Sequence, residues 1–315
     1  MESPARRGLL RSRRADLTPP RWRVDSALIL IALIWGTTFV LVKQALSDVS
    51  TLLFLTLRFT VAALALALLL NKALRSDFRQ PLLRNRSIRA GALAGVFLSS
   101  GYVFQTFGLK FTTPAKAAFI TGLYIPLVPL FSAVVYKKAP NPSELLGLVV
   151  AFAGMALMTV HRDLAAIGAG DLLVMICAVA YAFHILVLGR FAATSSVAIM
   201  SVVQIATAAL LGAATFWWAE PAHVTWSPPV ILALTITSLL ATALAFSVQT
   251  WAQRYSSPTR TTLIFALEPV FAWATSYMLA AEVLSDRAMA GAALILAGVI
   301  LVELKPFRKP SRMDS

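Results

Sequence analysis

The chain has 315 residues, 58% hydrophobic and only 13% charged, with a mean hydropathy of +0.77, whereas ordinary soluble domains run near roughly 45–50% and about 25%. Apolar blocks of about 20 residues, enough to cross a ~30 Å hydrocarbon core, recur along it, so about 115 residues remain for tails and loops and no extramembrane domain of ordinary size fits. The net charge of +14 gathers on alternate short loops, which points to membrane topology and away from nucleic acid.

In chain order, residues 1–24 form a basic tail carrying Arg6, Arg7, Arg11, Arg13, Arg14, Arg21 and Arg23, expected to lie in the cytoplasm against anionic lipid. The first apolar block is longer than a signal-peptide core and has no small-residue cleavage site after it, so it reads as an uncleaved span. Ten spans are predicted, at 25–46, 51–71, 89–110, 115–136, 143–161, 170–190, 197–218, 229–252, 259–281 and 287–304. With the N-terminus inside, the cytoplasmic segments collect Lys72, Arg75, Arg79, Arg84, Arg86 and Arg89, then Lys137, Lys138, Arg190, Arg254 and Arg260, and finally the basic tail 305–315. The other face receives only Lys110, Lys116, Arg162 and Arg287. Both termini are therefore expected in the cytoplasm. Cys177, the single cysteine, lies inside a span, which excludes an intramolecular disulfide and a thiol metal site.

Residues 105–157 overlay 249–301 at a constant shift of 144 without a gap. Gln105/Gln249, Thr106/Thr250, Pro114/Pro258, Ile120/Ile264, Leu123/Leu267, Gly147/Gly291 and Gly154/Gly298 are identical, and Lys116/Arg260 keeps its chemistry. The chain is expected to be two copies of one five-span unit, 25–161 and 170–304. Five is odd, so the second copy enters the membrane from the opposite side. The expected fold class is an all-α polytopic membrane protein of ten transmembrane helices in two inverted five-helix repeats, an architecture suited to alternating access. No G-x-x-x-x-G-K-[ST] loop occurs, so the chain itself does not burn ATP, and uphill movement would draw on an ion gradient.

Several motifs resemble the EamA type of the drug/metabolite transporter superfamily, over about residues 26–304. Trp35-Gly36-Thr37-Thr38-Phe39 with Lys43 is similar to its opening signature, and Leu57-Arg58-Phe59 to its second-span signature. Ala117 to Tyr124 leading to Pro126 and Pro129, and Leu267-Glu268-Pro269-Val270, resemble its paired fourth and ninth spans. The fourth-span copy has Tyr124-Ile125-Pro126 where the ninth has Glu268-Pro269, and Lys137-Lys138 stands where an acid is usual. The resemblance implies a ten-helix carrier of the inner (plasma) membrane, often an exporter of amino acids, other metabolites or toxic compounds.

Candidate substrate-binding residues are those whose chemistry is costly or unusual at mid-membrane. Glu268 sits about 15 Å deep, where a carboxylate costs about 2.5–3.5 kcal/mol on insertion scales, so it binds a cationic group or a transported proton, or is satisfied by backbone that Pro269 frees. Arg58, about two turns into the second span, either holds a substrate carboxylate or packs helices, and pairing with Glu268 is one option. Trp35 and Phe39 share a helical face with Thr38 beside them, and Tyr181 matches Trp35 at a shift of 146, with His184 a turn later. These residues line a cavity or pack. Tyr102 and Tyr124 reach mid-depth. Gln105 and Gln249 read as gating or helix-end amides. Lys43 reads as snorkelling. Pro126, Pro129 and Pro269 free carbonyls inside spans. Gly147 with Gly154, and Gly291 with Gly298, form small-residue stripes for helix packing or a homodimer seam.

The leading reading is a secondary transporter exporting a small metabolite, amino acid or drug-like compound, with the lipid bilayer, a small-molecule substrate and a proton or other coupling ion as partners. No cofactor, metal or nucleic acid is expected: the histidines, His161, His184 and His223, are far apart. The alternative is an integral membrane enzyme acting on a lipid-linked substrate, but Asp48, Asp163, Asp171, Glu220, Glu282 and Asp286 form no catalytic motif.

Overall fold

The computed structural model describes residues 19–112, 114–137, 141–159, 168–272, 274 and 285–304. Within these, every regular element is helical, apart from one antiparallel bridge between Val49 and Val224. In chain order they are α1 (Arg21–Gly36), α2 (Thr38–Ala45), α3 (Thr51–Leu69), α4 (Asn71–Phe78), α5 (Pro81–Phe111), α6 (Pro114–Thr121), α7 (Tyr124–Tyr136), α8 (Pro142–Thr159), α9 (Ala169–Phe191), α10 (Val197–Thr215), α11 (Pro228–Ser238), α12 (Ala245–Ala252), α13 (Pro258–Phe265) and α14 (Asp286–Leu304). A short 3₁₀ turn follows α9, and a six-residue π turn, Leu239–Leu244, joins α11 to α12.

Seven of the described helical segments are long and apolar enough to cross a membrane, and Pro142–Leu157 and Met289–Leu301 are shorter apolar helices. The expected ninth span at 259–281 begins as α13 and extends past the described residues, so the structure does not trace ten spans through. The burial pattern is inverted relative to a water-soluble protein. Leu64, Leu68, Leu69, Val134 and Leu210 are 61–79% exposed, while Gln204, Thr242 and Thr250 are sealed inside. Lipid tails can solvate the former, but the latter must find partners within the bundle. Trp22 at one end, and Trp217, Trp218 and Trp226 at the other, are exposed as membrane-interface aromatics.

Two features extend beyond the predicted spans. α5 has 31 residues, about 46 Å at 1.5 Å per residue, because its first turns carry Arg84, Arg86 and Arg89 outside the apolar stretch. α4, which contains no buried residue, is a polar helix in the connection before it.

The fourth and ninth spans break at matching places. Helicity stops at Gly122-Leu123 and again at Ala266-Leu267, positions 144 apart. Each break is tightened by the same three-residue bond, Leu123 N–H to Ile120 O at 3.0 Å and Leu267 N–H to Ile264 O at 3.1 Å. Pro126 and Pro269 therefore fall in the first turn after a break, where a missing N–H costs little, and only Pro129 stands inside a helix.

The glycine stripes are occupied within the chain. A Cβ on Gly154 would meet Gly291 O at 2.6 Å, and one on Gly298 would meet Gly147 O at 2.5 Å, so α8 and α14 are in backbone contact with reciprocal partners. This seam packs the fifth span on the tenth, which leaves the expectation of a homodimer seam there without a free surface.

Candidate functional site

A cavity of about 690 Å³, its open mouth included, lies between the helices. All eleven residues singled out from the sequence line it: Trp35, Thr38, Phe39, Arg58, Tyr102, Gln105, Tyr124, Tyr181, His184, Gln249 and Glu268. Val42, Thr106, Leu109, Thr121, Ile185, Phe246 and Phe265 complete the wall. The lining follows the repeat. At a shift of 144, Tyr102 matches Phe246, Gln105 matches Gln249, Thr121 matches Phe265 and Tyr124 matches Glu268; at 146, Trp35 matches Tyr181, Thr38 matches His184 and Phe39 matches Ile185.

The aromatic side is a cluster around Trp35, whose ring meets Phe246 at 5.3 Å and Phe265 at 5.0 Å, tilted and edge-on, the arrangement aromatic quadrupoles prefer. The Trp35 Nε1–H donates to Ala241 O at 2.9 Å. That carbonyl belongs to the π turn, whose altered register frees backbone groups from the usual ladder. Thr38 Oγ1 donates to Trp35 O at 2.9 Å, so its hydrogen is spent within the first span, across the junction of α1 and α2.

Arg58 is 3% exposed. Its Nε–H donates to Thr242 Oγ1 at 2.8 Å, also from the π turn, and an Nη2–H donates to the Tyr102 hydroxyl oxygen at 2.9 Å. Its guanidinium also stacks 4.3 Å from the Tyr102 ring centre. Arg58 does not pair with Glu268, and among the described residues no carboxylate bridges it. These bonds use two of its five N–H donors, and the residue lines the cavity.

Glu268 is the first residue after the break in the ninth span, as Tyr124 is after the break in the fourth. No hydrogen bond or ion pair to its carboxylate is formed among the described residues, nor is it sealed. Gly36 explains how the first span reaches it: a Cβ there would stand 2.6 Å from Glu268 O and 2.9 Å from Ala272 N. Only glycine lets these backbones touch. A similar approach seats Tyr181, whose ring would lie 2.3 Å from a Cβ on Gly101.

Gln105 donates to Thr121 Oγ1 at 3.1 Å and accepts from the Tyr181 hydroxyl at 3.3 Å. His184, 2% exposed, is tied through Nε2 to Gln204 Oε1 at 2.9 Å. Gln204 donates its amide to Thr250 Oγ1, which in turn donates to Phe246 O, so the chain of donors places the histidine hydrogen on Nε2.

Toward one end of the bundle, polar ties join neighbouring helices. Arg260 grips Asp25 with two prongs, Nη2 to Oδ2 at 2.8 Å and Nε to Oδ1 at 3.1 Å. Gln253 Nε2–H donates to Ile185 O at 3.0 Å. At the other end Lys43 caps the C-terminus of α5, donating to the carbonyls of Leu109, Lys110 and Thr112 instead of snorkelling. Beside it Lys110 pairs with Glu220 at 2.6 Å. Glu220 is partly buried, which raises a carboxyl pKa, but the Lys110 ammonium and the backbone N–H groups of Leu52 and Thr51 outweigh that and hold it below the usual range.

Sequence reasoning missed Thr242 and the Ala241 carbonyl, because no residue pattern announced the π turn. It also missed Phe246 and Ile185, which a repeat shift applied to Tyr102 and Phe39 would have found, and Thr121 and Phe265, which are each other's repeat partners and so are reached from no chosen residue.

A bundle of apolar helices facing lipid, with a polar-aromatic cavity at its centre, defines a multi-pass membrane protein that handles a small molecule. The chain belongs to the EamA-like transporter family, whose model matches it twice, over residues 22–160 and 168–304. It is 33% identical over 285 residues to an uncharacterized transporter of Archaeoglobus fulgidus, covering 90% of this chain and 87% of that one. It is 22% identical to the uncharacterized inner membrane transporter YedA of Escherichia coli K12, over 91% and 92% of the two chains. A solved crystal structure of a protein shares the fold, with a TM-score of 0.73 and 22% identity over 90% of this chain and 98% of its own. The protein is a membrane transporter.

Proposed function

We propose that this transporter is a secondary carrier that exports a small metabolite, amino acid or drug-like compound across the plasma (inner) membrane, by alternating access of the central cavity. Its halves, 25–161 and 170–304, act as inverted five-helix repeats, with both termini and the basic tails in the cytoplasm. The observation that carries this reading is a cavity walled by matched residues of both halves, with ion pairs joining the halves toward both ends, Asp25–Arg260 at one and Lys110–Glu220 at the other. The basic-loop topology makes the Asp25–Arg260 end the cytoplasmic one. Matched breaks in the fourth and ninth spans support the reading, since discontinuous helices around a midplane site are a recurring carrier device.

In this scheme Arg58 takes an acceptor or anionic group of the substrate, and Trp35, Phe39, Tyr124 and Tyr181 flank its apolar body. Glu268 binds a coupling proton or a cationic group. The test is comparative profiling of solutes in cells and medium for wild type, Glu268→Gln and empty vector at matched membrane expression. Compounds enriched outside with wild type and lost with Glu268→Gln support the scheme. Transport unchanged by Glu268→Gln removes that residue from the mechanism, and wild type matching the vector contradicts export.

A further inference from the structure

Gln249 is placed differently from its repeat partner. It lies on α12, one turn before Gln253, and the residue is 1% exposed. Gln253 donates its amide to Ile185 O, so it presents Oε1 to Gln249, whose Nε2–H donates to it at 3.2 Å. That order fixes the Gln249 amide and turns its Oε1 away, where it is buried without any donor. The other described atoms in this condition are serine and threonine hydroxyls, which can rotate toward a neighbouring acceptor. An amide oxygen cannot relieve itself that way, and leaving it unpaired is costly.

The repeat accounts for the missing donor. Gln105, the matched residue, has both amide groups engaged, by Thr121 and Tyr181. The positions corresponding to those two in the other half are Phe265 and Trp35. Phenylalanine has no hydroxyl, and the one N–H of Trp35 is committed to Ala241 O. All six residues line the cavity. The same amide thus stands in the wall of the same cavity twice, once saturated and once with an acceptor that is sealed and unpartnered in this form of the chain.

We propose that Gln249 Oε1 is a substrate-recognition acceptor, which takes an N–H or O–H donor of the transported compound and so selects aromatic or apolar molecules that carry one. This rests on the carrier reading and replaces the gating role expected for Gln249. The test uses two isosteric probes of the aromatic wall: indole, which has an N–H, and benzofuran, which does not. Equilibrium binding is measured on the full chain in lipid nanodiscs, with empty nanodiscs as blank.

Indole is expected to bind about tenfold tighter than benzofuran, the usual scale for one buried hydrogen bond. Gln249→Leu, or Gln249→Met of like length, is expected to erase that ratio. The wild-type comparison stands even if a variant does not fold. Equal binding of the two probes by wild type, or a ratio that survives both Gln249 variants, overturns the proposal while leaving the cavity as a binding site. Binding of neither probe overturns the proposal and also the reading of the cavity as a site for molecules of this size.

Discussion

Under the proposed topology, removing one partner of the Asp25–Arg260 tie should open the cytoplasmic end. The two side chains are 18% and 13% exposed and meet in a two-pronged contact. That places the pair between exposed ion pairs, worth roughly 0.2–1 kcal/mol, and buried ones, where losing a partner costs about 3–5 kcal/mol. A value of about 2 kcal/mol changes the ratio of cytoplasm-closed to cytoplasm-open forms by about 30-fold. The reporter is Thr259→Cys, a buried neighbour of Arg260, in a Cys177→Ser background that removes the single native thiol. Labelling by a membrane-impermeant thiol reagent from the cytoplasmic side should rise by about that factor in Asp25→Asn. Exchanging the charges, with Asp25→Arg and Arg260→Asp together, should bring it back down. A rate unmoved by Asp25→Asn would show that the pair does not hold this end closed.

Gly36→Ala drives a Cβ into the backbone of the Glu268 segment, which has no flexible atom to yield; a loss of about 1–3 kcal/mol is expected, read as a lower melting temperature in nanodiscs together with reduced transport. Arg58→Met removes two hydrogen bonds, which in membranes average only about 0.6 kcal/mol each, so folded protein should persist while accumulation of transported compounds outside the cell falls. Loss of fold with no separate transport defect would make Arg58 a packing residue. Glu220 is held below the ordinary carboxylate range, so its contribution to stability is present above the unfolded value and lost as pH falls through the folded one. Acid melting curves of wild type and Glu220→Gln should therefore converge below the usual carboxylate range and separate at neutral pH, and parallel curves would refute the assignment.

Much of the site was legible because the membrane makes polar residues conspicuous: Arg58, Glu268, Gln105 and Gln249 stand in apolar runs where each must have a use. Periodicity placed Trp35, Thr38 and Phe39 on one face, and the repeat carried that face to Tyr181 and His184. What escaped were features set by backbone register. The π turn that supplies Thr242 to Arg58 and the Ala241 carbonyl to Trp35 has no composition of its own. The breaks at Gly122-Leu123 and Ala266-Leu267 lie before their prolines, so reading Pro126 and Pro269 as kinks put the discontinuity a few residues late. The Gly147 and Gly154 stripe was visible, but a stripe does not name its partner, which proved to be α14 of the same chain. Lys43 likewise gave no sign that carbonyls of another helix, and not the membrane surface, would receive it.

The most direct test of alternating access is whether one cavity residue can be reached from both sides of the membrane. Thr38 lines the cavity and its hydroxyl donates within the first span, so Thr38→Cys in the Cys177→Ser background is a mild reporter. In proteoliposomes of known orientation, an impermeant thiol reagent should label it from the outer face and from the inner face, with Asp25→Asn shifting the balance inward. Labelling from one face only, in wild type and in Asp25→Asn alike, would contradict alternating access through this cavity.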